Sequence, residues 1–344
     1  MITSISLNPS IDRTVTVDGL SVGGLNRVQS QTDVAAGKGV NVALAAAALG
    51  EESACIGFMY REGGSLFEQR LCAGGVKSDF LWCEGAVRVN VKVFDRVKCE
   101  ITELNSSGTA VTQAQQDEMV ALVARHARQA DYLVLTGSLP PGCPADFYCT
   151  LAEVAGRENC RVLLDADGDR LREGLKAKPF LIKPNRYELE LLTGRKLDTL
   201  DALLDAARGC IADGVEVVAV SMGGEGALIL RGDEILRTPG LKVEVKSTVA
   251  AGDSMIAGLA AGFGRAYRLE DAFRLGVAAA TARCMTPPEQ IIARADVEAL
   301  AEKLQVEKLA CCAVNSGGSG RTRCSTAWAQ TLSTSSRRAS PRSF

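Results

Sequence analysis

Short apolar runs recur along most of this chain, and the stretches between them carry apolar residues at helical spacing. Positions 2–7 read as a strand, and 39–49 form a run of Val, Ala and Leu that suits a helix packed close to a sheet. Residues 53–58, 132–135, 161–165, 180–183 and 215–220 read as further strands, with helical segments between them, 113–129 among these. Strand and helix thus alternate, which predicts an α/β fold with a parallel sheet covered on both faces. Ligands of such sheets bind beyond the carboxyl ends of the strands. Polar and Gly-rich stretches fall at those ends: 8–12, 137–138, 165, 183–188 and 221–226.

Two segments break the rhythm. Residues 14–17 with 26–29, and 86–105, read as extended chain without intervening helices, and Arg88-Val-Asn-Val-Lys-Val93 alternates polar and apolar strictly. They predict a small antiparallel sheet, built from about 13–34 and 86–106, that projects from the main domain as a lid. Such a sheet has one apolar face that needs a partner, so a homodimer formed through the lid is expected. From 310 to 344 the chain changes character, with five Arg, no Lys and no acidic residue, and the low-complexity run Ser316-Gly-Gly-Ser-Gly320. The pattern predicts a main domain over 1–309 and a disordered basic tail over 310–344.

Composition narrows the function classes. A chain of 344 residues, 47% hydrophobic, can bury a large core. Before the tail, 34 of the 39 basic residues face all 41 acidic ones. That balance gives no electrostatic case for a nucleic-acid partner. No apolar stretch approaches the roughly 20 residues that cross a bilayer, and the first residues lack a basic and then apolar leader. The expectation is a cytoplasmic protein with no membrane partner. Twelve Cys without a C-x-x-C pair, beside a single His, are poor material for a zinc site and read as reduced core thiols. His126, in a helical segment with a polar side, reads as a surface residue.

Ser247-Thr-Val-Ala-Ala-Gly-Asp253 is the most informative candidate for chemistry. It reads as a tight turn feeding a helix of small residues. Ala251 and Gly252 leave backbone N–H groups open to a bulky anion at the positive end of the helix dipole. Asp253 is placed to take the proton of a hydroxyl that attacks a phosphoryl group held there; an Asp that merely stabilises the dipole is the alternative. Asn8-Pro-Ser-Ile-Asp12 ends the first strand, and Ala36-Gly-Lys-Gly-Val-Asn41 opens the next helix. Gly37 and Lys38 let backbone and ammonium approach a polar ligand, or make a plain strand-to-helix turn. Asp12, Gly37 and Asn41 suit the hydroxyls of a sugar. This is not a P-loop, because Thr32 and Gly39 stand where that motif needs Gly and Ser or Thr. In Lys183-Pro-Asn-Arg-Tyr-Glu188, Asn185 and Glu188 either project together toward a hydrated Mg²⁺ or close a capping box. Ser221-Met-Gly-Gly-Glu-Gly226 is either a nucleotide-phosphate loop or a hairpin turn.

In order and spacing these segments, with Gly137-Ser-Leu-Pro140, resemble the ribokinase-like sugar kinases of the PfkB family over about residues 1–309. The resemblance implies a three-layer α/β/α sandwich with a small β lid, and transfer of the γ-phosphoryl group of ATP, with Mg²⁺, to a sugar hydroxyl. It implies Asp253 as the base and the N–H groups of Ala251 and Gly252 as the anion hole. Lys183, Asn185, Ser221, Gly223, Gly226 and Thr248 would surround the nucleotide, and Asn185 and Glu188 would organise Mg²⁺ through water. Asp12, Gly37, Lys38 and Asn41 would hold the sugar, while a phosphate already on it would meet Arg27, Lys38, Arg88 and Ser138. Asn8-Pro9 and the stretch from Arg88 to Lys92 point to members that act on phosphorylated ketoses. The implied reaction converts fructose 1-phosphate to fructose 1,6-bisphosphate, with tagatose 6-phosphate as the alternative acceptor. A weakly active sugar-phosphate-binding protein, and a kinase of unphosphorylated sugars or nucleosides, are the remaining readings. The chain departs from the family at Ala250, where Gly is usual. If that position requires a positive φ, Ala there costs about 1–2 kcal/mol.

Overall fold

The computed structural model describes residues 1–309, so the expectation for 310–344 lies outside the described residues. The chain runs β1 (Ile2–Ser6), β2 (Ser10–Val17), β3 (Val28–Ala36), α1 (Lys38–Ala48), β4 (Ser53–Glu62), α2 (Gly64–Ala73), β5 (Lys77–Ala86), β6 (Arg88–Asp95) and β7 (Glu100–Leu104). It continues with α3 (Gln113–Ala127), β8 (Tyr132–Thr136), α4 (Phe147–Arg157), β9 (Arg161–Asp165), α5 (Gly168–Gly174), β10 (Leu181–Ile182), α6 (Arg186–Thr193), α7 (Leu200–Ala212) and β11 (Val217–Ser221). The last elements are β12 (Ala227–Arg231), β13 (Glu234–Thr238), α8 (Ala251–Gly264), α9 (Leu269–Met285), α10 (Arg294–Lys303) and β14 (Glu307–Lys308).

The main sheet has ten strands in the order β14-β13-β12-β11-β10-β9-β8-β1-β4-β5. From β5 to β11 every pair is parallel; the strands inside the β5 edge are buried along most of their length, while β5 itself is largely exposed or half-buried. β10 is shorter than its apolar run suggests. The N–H of Lys183 still reaches the Leu164 carbonyl at 3.2 Å, but Pro184 has no N–H to continue the ladder. Beyond 220 the sheet continues as an antiparallel edge whose strands the apolar pattern did not show; β11 and β12 pair through the hairpin turn that was one of the two readings of 221–226, and β12 and β13 turn through Gly232-Asp233. Helices cover both faces. One layer packs Phe67, Met119, Tyr148, Leu151 and Leu203 onto the sheet, and the other packs Met255, Leu259, Phe273 and Val297. Helix α1 serves both, with Val40 and Leu44 in the first and Val42 and Ala46 in the second.

The second sheet has the order β3-β2-β6-β7. Its two outer pairs are antiparallel, as expected, but the central β2–β6 pair is parallel. The main sheet dictates this. β2 continues from β1, β6 continues from β5, and those two parents run the same way, so their extensions leave the same end in the same direction. Register pairs Ser10 with Arg88, Asp12 with Asn90 and Thr14 with Lys92. Alternation therefore places these six side chains on one face.

Candidate active site

The carboxyl ends of β9, β10 and β11 and the first turns of α1 and α8 meet beneath the small sheet around a cavity of about 1010 Å³. The polar face of β2 and β6 forms one wall, with Asp12, Asn90 and Lys92 lining it. Lys92 Nζ lies 2.9 Å from Asp12 Oδ2, while Ser10 Oγ and Asn90 Nδ2 donate to Oδ1 at 3.0 and 3.2 Å.

Asp253 is the third residue of α8 and only 4% exposed. Asn41, in the first turn of α1, donates from Nδ2 to Asp253 Oδ2 at 2.8 Å. Burial pushes the Asp253 carboxyl up to about 6; Asp165 adds to that rise, and Lys38, Asn41 and Lys183 oppose it. A carboxyl so placed exchanges protons close to neutrality. The helix is entered through Ala250, which sits in the left-handed region at φ 65°, ψ 12°. Ala251 turns its N–H back onto the Thr248 carbonyl at 3.3 Å and does not line the cavity. The N–H groups of Gly252 and Asp253, which do face it, have no acceptor one turn earlier. The open donors are thus one residue further along than expected. A Cβ at Gly252 would stand 3.1 Å from Lys183 Nζ, a tight contact with the buried ammonium.

Beneath this turn lies an ion cluster. The Lys183 ammonium, 4% exposed, is 3.1 Å from Asp165 Oδ1, and Lys38 Nζ is 3.5 Å from Oδ2. Thr136 Oγ1 donates to the same Oδ2 at 3.1 Å. Burial pushes the Asp165 carboxyl up, but Lys183, Lys38 and the hydrogen bonds outweigh it and hold it below the usual carboxylate range. Asp165 in turn raises Lys38 well above the ordinary lysine range, against the effect of burial. Two ammonium groups thus share the Asp165 carboxylate, and the carboxyls of Asp253 and Glu188 lie in their field as well.

Asn185 and Glu188 close the capping box of α6. Asn185 Oδ1 accepts from the Glu188 N–H at 2.8 Å, and Glu188 Oε2 accepts from the Asn185 N–H at 2.9 Å. Both residues also line the cavity, so Asn185 Nδ2 and Glu188 Oε1 remain for a ligand. Burial raises the Glu188 carboxyl. Among the described residues no group of three or more His, Cys, Asp or Glu is gathered to hold a metal. Ser221 and Thr248 line the cavity; Gly223 and Gly226 do not. Their turn joins β11 to β12, and Gly226 serves it through backbone proximity, since a Cβ would fall 2.0 Å from the Thr238 carbonyl oxygen.

The residues expected around a phosphate on the acceptor divide. Arg88 donates to the Asn8 carbonyl at 3.2 and 3.0 Å, to the Ser106 carbonyl at 2.8 Å and to Ser138 Oγ at 3.3 Å. It ties the root of the small sheet to the β8 loop. Ser138 lines a smaller adjoining pocket and not the main cavity. Gly37 and Lys38 lie on the wall common to both. Arg27 is exposed in the β2–β3 connection and lines neither. His126 sits on α3 with Nε2 2.8 Å from Asp79 Oδ2, more covered than a surface residue and apart from the cavity. Sequence reasoning gave no role to Asp165, Asn90, Lys92, Arg70 or Arg283. The first three carried signals, an Asp closing a buried strand and polar residues at alternate positions after Arg88. Arg70 and Arg283 come from helix interiors without a motif. Arg283 gathers the carbonyls of Val249, Thr286, Pro287 and Gln290 and so fixes the turn before α8.

A buried carboxylate at a helix N-terminus, open N–H donors beside it and the ammonium groups of Lys38 and Lys183 give this α/β site the donors and charges that suit an anion. The pattern of the pfkB family carbohydrate kinases matches residues 5–290. A 1-phosphofructokinase of Rhodobacter capsulatus is 39% identical over 301 residues, covering 86% of this chain and 95% of that one. A 1-phosphofructokinase of Bacillus subtilis is 32% identical over 311 residues, covering 90% and 100%. The crystal structure of phosphofructokinase-2 from Escherichia coli in complex with fructose-6-phosphate matches with a TM-score of 0.80 at 25% identity, over 88% of this chain and 98% of that one. The chain belongs to the pfkB family of carbohydrate kinases. Its fold is ribokinase-like, and like the kinases of this family it transfers phosphate from ATP to a sugar hydroxyl.

Proposed function

We propose that this kinase phosphorylates fructose 1-phosphate at its free primary hydroxyl, giving fructose 1,6-bisphosphate and ADP. The observation that carries the reading is near full-length similarity to curated 1-phosphofructokinases, joined to a buried Asp253 at the start of α8. In this reading Asp253 accepts the hydroxyl proton as the new O–P bond forms and the bridging P–O bond of ATP breaks. The N–H groups of Gly252 and Asp253 and the Lys183 ammonium hold the phosphoryl oxygens in flight. Asp12, Asn41, Asn90 and Lys92 orient the sugar, and Ser221 and Thr248 border the nucleotide.

Few protein ligands suit an ion that keeps most of its waters and leans on substrate phosphates, so Glu188 Oε1 and Asn185 fit a Mg²⁺ brought in with ATP. The ion supplies neutralisation of phosphate charge. Closure of the small sheet excludes water from the phosphoryl group. Val22 and Leu25 in the β2–β3 connection, Val97 in the β6–β7 connection, and Ile101 and Leu104 on β7 leave exposed apolar surface on the small sheet and its loops, which supports a homodimer formed through them. An Escherichia coli phosphofructokinase-2 with 26% identity is described as tetrameric in its inhibited form. Dependence on ATP and unpaired buried thiols such as Cys55 and Cys210 support a cytoplasmic location.

The test is ADP release with MgATP and, separately, fructose 1-phosphate, tagatose 6-phosphate, fructose 6-phosphate and fructose. Selective turnover of fructose 1-phosphate, abolished in Asp253→Asn, is expected. Preference for another acceptor overturns the substrate, and full activity in Asp253→Asn overturns the base.

A further inference from the structure

Arg283, in the last turn of α9, is only 6% exposed. Its guanidinium meets four backbone carbonyls. Nε donates to Val249 at 3.1 Å, Nη1 to Gln290 at 2.8 Å, and Nη2 to Thr286 and Pro287 at 3.2 and 3.0 Å. None of the four belongs to α9, so the residue does more than answer the dipole of its own helix. Among the described residues no carboxylate pairs with it. Glu289 and Asp253 act on it only through their field, and Arg70, a second cation, repels it. Buried charges are normally paired, as Lys183 is with Asp165. A buried cation without a carboxylate costs stability that an apolar side chain of similar size does not. Stability therefore leaves Arg283 unexplained, and its contacts point to the site.

The carbonyls come from two walls of the main cavity. Val249 belongs to the turn before α8, and Gln290 to the loop after α9; both line the cavity, as does Arg283 itself. The same two segments are joined by the N–H groups of Lys246 and Ser247, which donate to the Cys284 carbonyl at 2.8 and 3.2 Å. The Val249 carbonyl lies on the peptide that enters Ala250. That peptide is planar, so holding its oxygen fixes one side of the left-handed Ala250, and Ala250 sets where the N–H groups of Gly252 and Asp253 point. We infer that Arg283 is a positioning residue for phosphoryl transfer: its charge gathers four carbonyl oxygens that would otherwise repel one another, and so holds the open N–H donors of α8 toward the transferred group. The inference rests on the reading of those donors as the phosphoryl site and adds the residue that sets them. With every guanidinium nitrogen committed to the backbone, Arg283 acts through the turn and not on a substrate.

The test compares wild type, Arg283→Ala and Arg283→Lys, with thermal melts to establish folding. On whichever acceptor the wild type turns over, Arg283→Ala should lower kcat by about 10- to 100-fold. The KM values for acceptor and ATP should stay within about 3-fold, because the donors act on the transition state. Arg283→Lys should fall between the two, since charge returns without the fork that spans both segments. Guanidinium ion, added well below unfolding concentrations, should restore part of the lost kcat in Arg283→Ala. Urea has the same planar shape without the charge and should not. A folded Arg283→Ala enzyme with wild-type kcat overturns the inference, as does a raised KM with unchanged kcat. An equal response to guanidinium and urea overturns the role of charge. If Arg283→Ala does not fold, Arg283→Lys carries the test, and a kcat equal to wild type overturns the inference. If the wild type turns over no acceptor, the phosphoryl-site reading fails, and amide exchange decides the positioning alone. Ala251 and Ser254, whose N–H groups bond to the Thr248 and Ala250 carbonyls, should then exchange faster in Arg283→Ala and slow again with guanidinium. Exchange unchanged from wild type overturns it.

Discussion

Asn41 and Asp253 lie 212 positions apart in the chain, yet Asn41 Nδ2 donates to Asp253 Oδ2 at 2.8 Å. The bond joins the first turns of α1 and α8 and leaves the other carboxylate oxygen of Asp253 free for a substrate hydroxyl. A donor aimed at a carboxylate favours its charged form. Asn41→Ala should therefore raise the Asp253 pKa further above its value of about 6. The acid limb of kcat/KM should move to higher pH by about one unit, since a lost charged hydrogen bond is worth about 1.5–3 kcal/mol. A pH–rate profile checks this, and an acid limb left in place would falsify the coupling.

The same carboxyl predicts how stability varies with pH. Its folded pKa, about 6, lies above the ordinary 3.8, so between those values the native state holds the proton more tightly than the unfolded chain. Stability due to this group is greatest below pH 3.8, falls as the pH rises through about 6, and is level above that. The full loss is on the order of 3 kcal/mol. Asp253→Asn removes the titration. Urea unfolding of both proteins from pH 4 to 8 should show the variant gaining on wild type up to about pH 6 and no further. Parallel stability curves would show that burial does not perturb Asp253.

The alternation of elements was legible because periodicity reports burial, and burial in a parallel sheet covers whole strands. That is why β1, β8, β9 and α3 lie within two residues of their expected ends. The direction of β2 against β6 was not legible, because it follows from the shared exit of β1 and β5 and not from either strand's own residues. The first turn of α8 shows the same limit. Small residues announced an anion site, but which N–H groups remain open depends on Ala251 bonding back to Thr248. Asn185 and Glu188 fitted both a cap and a metal in the sequence, and their capping bonds leave each with one free polar group. Arg27, which the family resemblance put beside the acceptor's phosphate, lies in the exposed β2–β3 connection and lines neither pocket.

Asp165 is the charge on which two lysines depend. Its carboxylate, 2% exposed, balances the buried Lys183 and the partly buried Lys38. Asp165→Asn should destabilise the protein by about 3–5 kcal/mol, because it leaves an uncompensated ammonium in the interior. The double variant Asp165→Leu with Lys183→Met should recover much of that stability while remaining inactive. Denaturant midpoints on the three proteins check this. A single variant as stable as wild type would mean that water reaches the pair in solution.

The exposed apolar residues of the small sheet make a prediction about assembly. In the β2–β3 connection Val22 is 94% exposed and Leu25 83%, and Leu104 at the end of β7 is 60% exposed, which leaves apolar surface for a partner to cover. Leu25→Glu combined with Leu104→Glu should convert a dimer to a monomer in sedimentation equilibrium and leave the thermal midpoint of the main domain almost unchanged. A wild-type protein that is already monomeric at high micromolar concentration rules out this interface.

Ala250 tests whether the active-site turn stores strain. Its φ of 65° belongs to the region that Cβ disfavours, at a cost of about 1–2 kcal/mol for an L residue. The surrounding contacts impose it: Ser254 N–H bonds to the Ala250 carbonyl at 2.9 Å, and Arg283 Nε holds the neighbouring Val249 carbonyl at 3.1 Å. Ala250→Gly removes the clash, while the freer unfolded chain takes back about 0.4–1 kcal/mol. The net expectation is a gain of about 0.5–1 kcal/mol in urea unfolding. Activity should be retained, because the N–H groups of Gly252 and Asp253 keep their positions. A glycine variant that is more stable but much less active would show that Ala250 also restrains the anion site. A less stable variant would mean that the left-handed turn is not maintained in solution.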